Sequence, residues 1–325
     1  MPPAAAARRG SGWRVFWGIV LVLSIMANIA LVLMLVGVVA MFATGPKGLV
    51  TEEVIRTGPR TSKIVVVNLQ GIIHGEQAKY VYTQLKAAGR DRLVKGVIVR
   101  INSSGGTISG SDQIYKEIQR FREEEGVPVV AFMQGIAASG GYYASVACEK
   151  IVAEPTTITG SIGVMMGHFV FQELLESKLG IVPVIITEGK KKNWPSSFKT
   201  PTEEELQYLR DKILTPAYER FVEVVIEGRE GILTPDDVRR LADGGILTAP
   251  EAKREKLIDE VGYLDDAIEL VKSLADIKRA RVVEYRRAFS LTSLLSYRSR
   301  SVLNVDRTTL YELGTPQILY LWSAY

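Results

Sequence analysis

The longest apolar run of the chain lies near its N-terminus. Val15–Thr44 spans thirty residues without a charged side chain, and its polar interruptions are Ser24, Asn28 and Thr44. About twenty apolar residues cross a bilayer, whereas the apolar core of a cleaved signal peptide usually has about 7–15. The pattern therefore predicts a transmembrane helix that is retained as an anchor.

Beyond a polar linker, short apolar runs alternate with amphipathic ones. The predicted strands are Lys63–Gln70, Gly96–Ile101, Val127–Phe132, Lys150–Ala153 and Val182–Thr187. The predicted helices are about Gln77–Ala88, Ser111–Glu125, Tyr142–Lys150, Thr202–Gly228, Thr234–Ala242 and Ala249–Lys256. Strands that alternate with helices pair in parallel through right-handed crossovers. The pattern therefore predicts an α/β fold with a largely parallel sheet and flanking helices.

This organisation divides the chain into five parts. They are an N-terminal segment at 1–14, the anchor at 15–44, a linker at 45–62, a folded domain at 63–285 and a C-terminal tail at 286–325. From Ser290 onward the tail has no clear hydrophobic period. Two expectations remain open for it, docking on a neighbouring copy or removal by processing.

The charges that flank the anchor predict its orientation. Arg8, Arg9 and Arg14 precede the apolar run, and the nearest charge after it is Lys47. Positive charge is enriched on the cytoplasmic side of membrane spans. We therefore expect a single-pass protein of the cell membrane, with a cytoplasmic N-terminus and the folded domain outside.

Composition narrows the possible chemistry. The 40 basic and 36 acidic side chains are spread along the chain, which gives no reason to expect nucleic acid as a partner. The single cysteine, Cys148, excludes an intrachain disulfide, and we expect it in the core. Because His74 and His168 are the only histidines, we expect neither a metal nor another cofactor, and a Ser-His-Asp triad would need one of these two.

A glycine-rich turn follows the predicted strand Val127–Phe132. There Ser139 stands directly before Gly140 and Gly141, at a strand-to-helix turn. Free backbone N–H groups and the positive end of a helix dipole favour developing negative charge at such a turn, so Ser139 is a candidate nucleophile. Most serines in such turns are caps or small fillers, and the flanking residues differ from the G-x-S-x-G elbow.

Three further loops at strand ends carry candidate chemistry. In 102–106 a double glycine lets backbone N–H groups approach an oxyanion, although this stretch taken alone favours a tight strand-to-helix turn. The hydroxyls of 159–163 can cap a helix or orient an amine. The three lysines of 189–193 form either a solvated basic loop or the source of a neutral lysine base, with Lys190, Lys191 and Lys192 all open.

The ordered motifs of these loops resemble a known family. They read N-S-S-G-G at 102–106, A-A-S-G-G-Y-Y at 137–143, T-G-S-I-G-V at 159–164 and E-G-K-K-K at 188–192. Behind one N-terminal span, this series is similar to the signal peptide peptidase A family of membrane-anchored S49 serine peptidases. The resemblance runs from about Lys63 to Lys272. It implies a ClpP/crotonase-like fold and a Ser/Lys dyad.

The resemblance also implies a role for individual residues. Ser139 matches the nucleophile and Lys192 the general base. Gly106 matches the glycine of the oxyanion turn, and Gly140 is a possible second donor. Ser161 matches the serine that orients the lysine amine. The resemblance does not place the substrate-binding residues.

Two departures from the family pattern affect these assignments. Ser104 stands where the family usually has proline, which loosens the turn but keeps both glycines. Glu188 replaces the serine of a Ser-Gly pair that lies three residues before the family's lysine. Lys190 and Lys191 therefore remain alternatives to Lys192, the residue three positions after Gly189, for the role of base.

The resemblance implies a serine endopeptidase that degrades short apolar peptides, namely remnants of signal peptides left after secretion. It also implies a homo-oligomeric ring in which Ser and Lys come from different copies or domains. Two alternatives stay open, a crotonase-like acyl-CoA enzyme and a non-catalytic membrane-anchored scaffold on the same fold. Neither alternative needs a reactive Ser139.

Overall fold

The computed structural model of the chain describes residues 11–43, 50–287 and 317–322, which fall into two compact units. The first unit contributes the helix α1 (Ser11–Ala43), whose segment Gly12–Val38 has a mean hydropathy of 2.9. By length and composition this helix can span a membrane, and a signal sequence would share both properties. The Asn28 side-chain amide donates to the carbonyl of Ser24 (2.7 Å), so it is satisfied within the helix.

The second unit is organised around a nine-stranded sheet among the described residues. Its main path, in spatial order, is β1 (Val50–Arg56), β11 (Arg281–Arg287), β2 (Lys63–Gln70), β3 (Val94–Ser103), β5 (Val129–Ala138), β6 (Lys150–Ala153) and β10 (Glu260–Val261). From β11 to β10 every pairing is parallel, which confirms the predicted sheet.

The far end of β5 leaves this path and forms a branch. There it pairs in parallel with β7 (Ile158–Gly160), which pairs antiparallel with β9 (Ile246–Thr248). A separate three-stranded sheet contains β4 (Gly105–Thr107), β12 (Gln317–Leu321) and β8 (Met165–Gly167). The branch and the small sheet both lie at the carboxyl ends of β3 and β5.

Helices cover both faces of the main sheet. They are α2 (Gly75–Arg90), α3 (Ile108–Glu125), α4 (Gly140–Ser145), α5 (Glu203–Leu209), α6 (Thr215–Gly228), α7 (Pro235–Leu241), α8 (Ala249–Arg254) and α9 (Leu264–Leu274). A π-helical turn, Arg210–Leu214, joins α5 to α6, and a second one lies at Leu174–Lys178.

The central strands are continuous apolar runs because both of their faces are buried. In β2, Val65 and Val67 belong to the core under α2, α3 and α6, whereas Ile64 and Val66 belong to the core under α9. All four side chains are fully buried. The strands predicted from such runs, at 63–70, 96–101, 127–132 and 150–153, are confirmed, but β5 runs on to Ala138, six residues past its predicted end.

The helix α3 shows how local sequence sets an element's limits. The Thr107 hydroxyl accepts from the backbone N–H of Gly110 (3.2 Å) and caps the first turn. The helix ends at Gly126, which adopts the left-handed conformation (φ 61°) that glycine tolerates. Ile114 and Ile118 share the buried face, as their spacing predicts.

The predicted strand Val182–Thr187 is wrong for the single chain, because these residues form no regular element. Val182, Val184 and Ile186 are 71%, 80% and 93% exposed. Their alternation predicts a half-buried strand, but a strand needs a neighbour that shares its hydrogen bonds. Within the described chain this segment has none.

The sequence also missed elements at both ends of the domain. The strand β1 lies inside the predicted linker at 45–62 and pairs antiparallel with β11. The strand β12 lies inside the predicted tail at 286–325. Residues 1–10, 44–49, 288–316 and 323–325 lie outside the described residues, so the expectations for them stay predictions. Cys148 is buried as expected, and burial raises the pKa of its thiol to about 12.

A buried ion pair joins the end of α6 to the segment before β10. The Arg229 guanidinium, 3% exposed, donates to the Asp259 carboxylate (2.9 Å) and to the carbonyl of Lys256 (2.7 Å). Burial alone would raise the pKa of Asp259, but Arg229, the Ile151 N–H and Lys150 together hold it below its ordinary value. The carboxylate therefore stabilises the fold above its unfolded pKa of about 3.9, and this contribution is lost as the pH falls through the lower folded value.

We expect Asp259→Asn to lower the free energy of unfolding by about 3 kcal/mol at pH 7, because it leaves a buried guanidinium without its counter-charge. Denaturant unfolding of the detergent-solubilised chain measures this loss. The matched control is Glu255→Gln, which removes the exposed pair of Glu255 with Arg240 (2.7 Å) and should cost less than about 1 kcal/mol. Equal costs for the two variants would contradict the structural role of the buried pair.

Candidate active site

Ser139 forms a sharp strand-to-helix turn at the end of β5. It is buried and adopts φ 53° and ψ −115°, a region that residues other than glycine rarely enter. Its N–H donates to the carbonyl of Gly160 (2.8 Å), and its own carbonyl accepts from the N–H of Tyr143 (2.9 Å). Such backbone strain costs about 1–3 kcal/mol and clusters at functional sites. The predicted turn is therefore present, and both neighbouring segments hold it.

Ser161 lies beside Ser139 because of the branch in the sheet. The end of β5 pairs in parallel with β7 up to Ala138 opposite Gly160, and the two serines are the next residues of these strands. Ser161 is also buried and left-handed (φ 52°), and its N–H donates to the carbonyl of Gly245 (2.6 Å). The structure thus brings together two of the three residues to which the sequence assigned catalytic roles.

The double glycine after β3 approaches the same turn. Gly105 has φ 102°, and its N–H donates to the hydroxyl oxygen of Ser103 (3.1 Å). A Cβ atom at Gly105 would lie 2.8 Å from the backbone nitrogen of Gly140, and one at Gly106 would overlap the carbonyl of Ile73. Glycine is required at both positions, because no side chain fits between these backbones. The predicted oxyanion residues Gly106 and Gly140 are therefore close neighbours in the fold.

An extended segment crosses this glycine turn. The strand β12 pairs antiparallel with β4, with Tyr320 opposite Gly106, and its other edge pairs with β8. The N–H of Trp322 donates to the carbonyl of Ser104 (2.8 Å). The carbonyl oxygen of Tyr320 lies 3.1 Å from where a Cβ atom at Gly140 would stand. The sequence did not predict this strand, and its only signal was the apolar run Ile318–Trp322.

Open grooves continue on both sides of β12. The first has a volume of about 760 Å³ and includes Asp112, Tyr143, Ala217 and Arg220 in its lining. The second has a volume of about 470 Å³ and is lined in part by Ser161, Val164 and Trp322. Residues of β12 line both grooves, and Ser161 places the second groove next to the turn at Ser139.

Polar contacts organise the wall of the first groove. The Tyr143 hydroxyl donates to the Asp112 carboxylate (2.6 Å), and the Arg220 guanidinium lies 3.7 Å from that carboxylate. Burial, and then the hydrogen bond to Asp112, raise the pKa of Tyr143 above its usual range. The phenol therefore stays protonated and keeps its ring fixed against the groove.

The lysine loop is not brought to Ser139 in the single chain. Lys190, Lys191 and Lys192 are all exposed. The Lys190 ammonium pairs with Glu204 (2.7 Å), and that of Lys191 lies 3.9 Å from the centre of the Tyr208 ring. Among the described residues, the ammonium of Lys192 has no hydrogen-bond or ion-pair partner. The amine of Lys192 is therefore free in the single chain, but it is not brought next to the hydroxyl of Ser139.

The two histidines occupy positions outside this arrangement of glycines and serines. His74 is exposed and precedes α2, and His168 follows β8 with its Nε2 atom buried and unpaired among the described residues. Neither has a described contact with Ser139. In the part of the chain that the structure describes, no group of three or more His, Cys, Asp or Glu side chains could hold a metal ion.

We expect Gly105→Ala to release β12 from the glycine turn, because the new Cβ would overlap the carbonyl oxygen of Tyr320. Amide hydrogen exchange at residues 318–322 should rise by about tenfold or more, which corresponds to about 1.4 kcal/mol of local stability. Gly126→Ala is the control, since Gly126 also has a positive φ (61°) but nothing within 4 Å of the added atom. If both variants change this exchange equally, the close approach is not what positions β12.

Comparison with known proteins agrees with this geometry. Residues 121–278 match the model of Peptidase family S49, and residues 52–158 match that of Clp protease. A putative signal peptide peptidase SppA of Enterococcus faecium is 35% identical over 73% of this chain and 71% of its own length. The serine protease SPPA, chloroplastic, of Arabidopsis thaliana is 35% identical over 71% of this chain and 34% of its own length. Protease 4 of Haemophilus influenzae is 31% identical over 69% of this chain and 36% of its own length.

These matches agree with the parallel sheet, the flanking helices and the serine beside the glycine turn. The Clp protease match covers β1 through β6 and reaches the start of β7, and so identifies the fold as ClpP-like. The chain belongs to peptidase family S49 and is a serine-type peptidase.

Proposed function

We propose that the chain is a membrane-anchored endopeptidase in which Ser139 is the nucleophile and Lys192 the general base. The carrying observation is that an extended segment, β12, pairs antiparallel along the glycine turn beside a buried, left-handed serine. A peptide substrate that replaced β12 would place its backbone carbonyl where the carbonyl of Tyr320 now lies. Antiparallel pairing by main-chain groups is a general mode of peptide recognition.

The proposed reaction uses these groups in sequence. The Ser139 hydroxyl attacks the peptide carbonyl carbon, and its proton moves to a neutral Lys192 amine. The N–H groups of Gly106 and Gly140 hold the developing oxyanion, which is worth several kcal/mol in comparable enzymes. The lysine then gives its proton to the leaving amine, and water hydrolyses the acyl-enzyme. Ser161, next to the nucleophile, has the proposed role of orienting the amine.

The contacts of the lysine loop favour Lys192 among the three candidates. Lys190 is held by Glu204, and Lys191 lies over an aromatic ring. The amine of Lys192 has no partner of this kind among the described residues. A lysine that acts on the serine of another copy needs a side chain that no residue of its own chain holds in place.

A second copy of the chain would complete this arrangement. A free lysine has a pKa of about 10.4 and is almost wholly protonated at pH 7, and removal of water favours its neutral form. The exposed apolar residues Val182, Val184 and Ile186 end six residues before Lys192. A contact that covered this segment would therefore also remove water from around the lysine. We propose a homo-oligomeric ring in which one copy's Lys192 serves another copy's Ser139.

Apolar peptides are the proposed substrates. The grooves beside β12 contain apolar and aromatic side chains, and β12 itself is apolar. The Enterococcus relative is described by its name as a putative signal peptide peptidase. Remnants of signal peptides are short and apolar, and they are released at a membrane. They fit the site by chemistry and by location.

The proposed location follows from the anchor. Arg8 and Arg9 precede α1, Arg14 lies in its first turn and Lys47 follows it, which favours a cytoplasmic N-terminus and an extracytoplasmic catalytic unit. The substrates would then be met on the side of the membrane where signal peptides are removed.

We expect Ser139→Ala and Lys192→Ala each to lower kcat/KM for an apolar peptide by about 10⁴ or more, because a nucleophile and its base act as a unit. Lys190→Ala and Lys191→Ala should keep most of the activity. The measurement is kcat/KM on the chain in detergent, together with labelling of Ser139 by a fluorophosphonate. Full activity in Lys192→Ala with loss in Lys191→Ala would transfer the role of base to Lys191.

The histidines provide the control for this series. His74→Ala and His168→Ala should each leave kcat/KM unchanged, and a large loss in either would favour a histidine-based triad. A crotonase-like enzyme or a scaffold would show no stable fluorophosphonate label at Ser139. Absence of the label from active, folded protein would reject the peptidase mechanism.

The ring predicts complementation between inactive variants. When Ser139→Ala and Lys192→Ala chains are mixed equally and reassembled, half of the sites keep the serine and half of those face an intact lysine. Activity should therefore recover to about one quarter of the wild-type value, as a head-to-tail ring requires. A lysine from the same chain predicts no recovery, because each chain then lacks one member of the pair.

A further inference from the structure

The hydroxyl of Ser103, the last residue of β3, joins two backbone segments. The side chain is 2% exposed. Its Oγ atom donates to the carbonyl of Gly71 (2.6 Å) and accepts from the N–H of Gly105 (3.1 Å). The carbonyl of Gly105 lies farther from Oγ (3.5 Å), so the single hydroxyl proton is directed at Gly71. The hydroxyl therefore uses its proton and a lone pair on main-chain groups of two different loops.

The loop that begins at Gly71 runs along the glycine turn. The N–H of Ile73 donates to the carbonyl of Gly105 (2.8 Å), and the N–H of Thr107 donates to the carbonyl of Ile73 (2.8 Å). The loop between β2 and α2 thus contacts the turn through its own backbone. The hydrogen bond from Ser103 fixes the start of that loop, two residues before the N–H that holds Gly105.

These bonds determine where the N–H of Gly106 points. The carbonyl of Gly105 and the N–H of Gly106 belong to one peptide unit, and they point in opposite directions because the unit is planar and trans. Since Ile73 holds the carbonyl on one side of β4, the N–H of Gly106 faces the other side, along which β12 lies. The proposed function places the attacked peptide carbonyl on that side.

The turn needs such outside bonds because two consecutive glycines form it. Gly105 has φ 102°, and a glycine rotates about its backbone bonds with little steric resistance. An oxyanion donor is effective only when it is already directed at the position where charge develops. The hydroxyl of Ser103 holds the peptide unit that carries the N–H of Gly105, which directly precedes the unit that carries the N–H of Gly106.

We propose that Ser103 is the positioning residue of the oxyanion donor, and that its hydroxyl keeps the glycine turn and the loop at Gly71 in the arrangement that directs the N–H of Gly106 at the substrate. The inference rests on the proposed function and deepens it. Ser103 acts through the backbone, because its buried hydroxyl is already bonded to Gly71 and Gly105. Its effect belongs to the transition state, in which the oxyanion carries its charge.

We expect Ser103→Ala to lower kcat for an apolar peptide by about tenfold to a hundredfold, between the effect of one buried hydrogen bond and that of a lost oxyanion donor. KM should change by less than about twofold, because the peptide binds before the oxyanion forms. Ser103→Thr keeps the hydroxyl and should stay within about threefold of the wild-type kcat. The assay uses the full chain in detergent. An unchanged kcat in Ser103→Ala, or equal losses in both variants, would overturn the proposal.

Ser145 provides a matched control. Its hydroxyl is also buried (0% exposed) and donates to a backbone carbonyl, that of Gly141 (2.8 Å). This bond lies within α4 and does not reach the glycine turn. Ser145→Ala should therefore leave kcat within about twofold of the wild-type value, well short of the loss in Ser103→Ala. Equal losses in the two variants would reject a specific role for Ser103.

Inhibitor binding separates this inference from the proposed function. With an apolar peptide aldehyde, the Ser139 oxygen bonds to the aldehyde carbon, the carbonyl electron pair moves to the aldehyde oxygen, and the hydroxyl proton passes to Lys192. The matching peptide alcohol forms no such oxyanion. Ser103→Ala should weaken inhibition by the aldehyde by the same factor as kcat/KM and leave binding of the alcohol unchanged.

The two inhibitors give distinct outcomes for the two proposals. If the wild-type chain binds the aldehyde no more tightly than the alcohol and cleaves no peptide, the proposed function falls. If the wild-type chain prefers the aldehyde and Ser103→Ala keeps the whole of that preference, the role of Ser103 falls alone.

Discussion

The close approach of three backbone segments around Ser139 is the constraint on which the rest of the domain depends. The serine sits in a strained conformation that it would not adopt alone, and pairing of β5 with β3 on one side and β7 on the other holds it there. Glycines at 105 and 140 let the segments touch without a side chain between them. The large cores on both faces of the parallel sheet supply the stability that keeps this strain in place.

The sequence predicts the centre of this structure better than its edges. Strands such as β2 and β3 are buried on both faces, so their apolar runs identify them without knowledge of their neighbours. The edge strand β1 and its neighbour β11 mix charged and apolar residues without a regular period, so their sequences alone do not identify them as strands. The segment 182–187 shows the converse case, in which an apolar alternation lacks a partner within the chain.

The candidate site also contains parts that the sequence predicts and parts that it does not. The turn at Ser139 and the positions of Gly106, Gly140 and Ser161 follow from local sequence and from the parallel order of strands. The lysine does not follow, because it lies in an exposed loop whose surroundings depend on what covers it. The burial of Tyr320 of β12 could not be predicted either, since the residues around it come from β4, α4 and α6, which are distant in the sequence.

The antiparallel pairing of β12 with both β4 and β8 has a consequence for sequence tolerance. Main-chain hydrogen bonds repeat every two residues and are nearly blind to side chains, so they hold an extended chain without fixing its register. Many sequences can therefore complete the same three-stranded sheet, provided that they adopt an extended conformation.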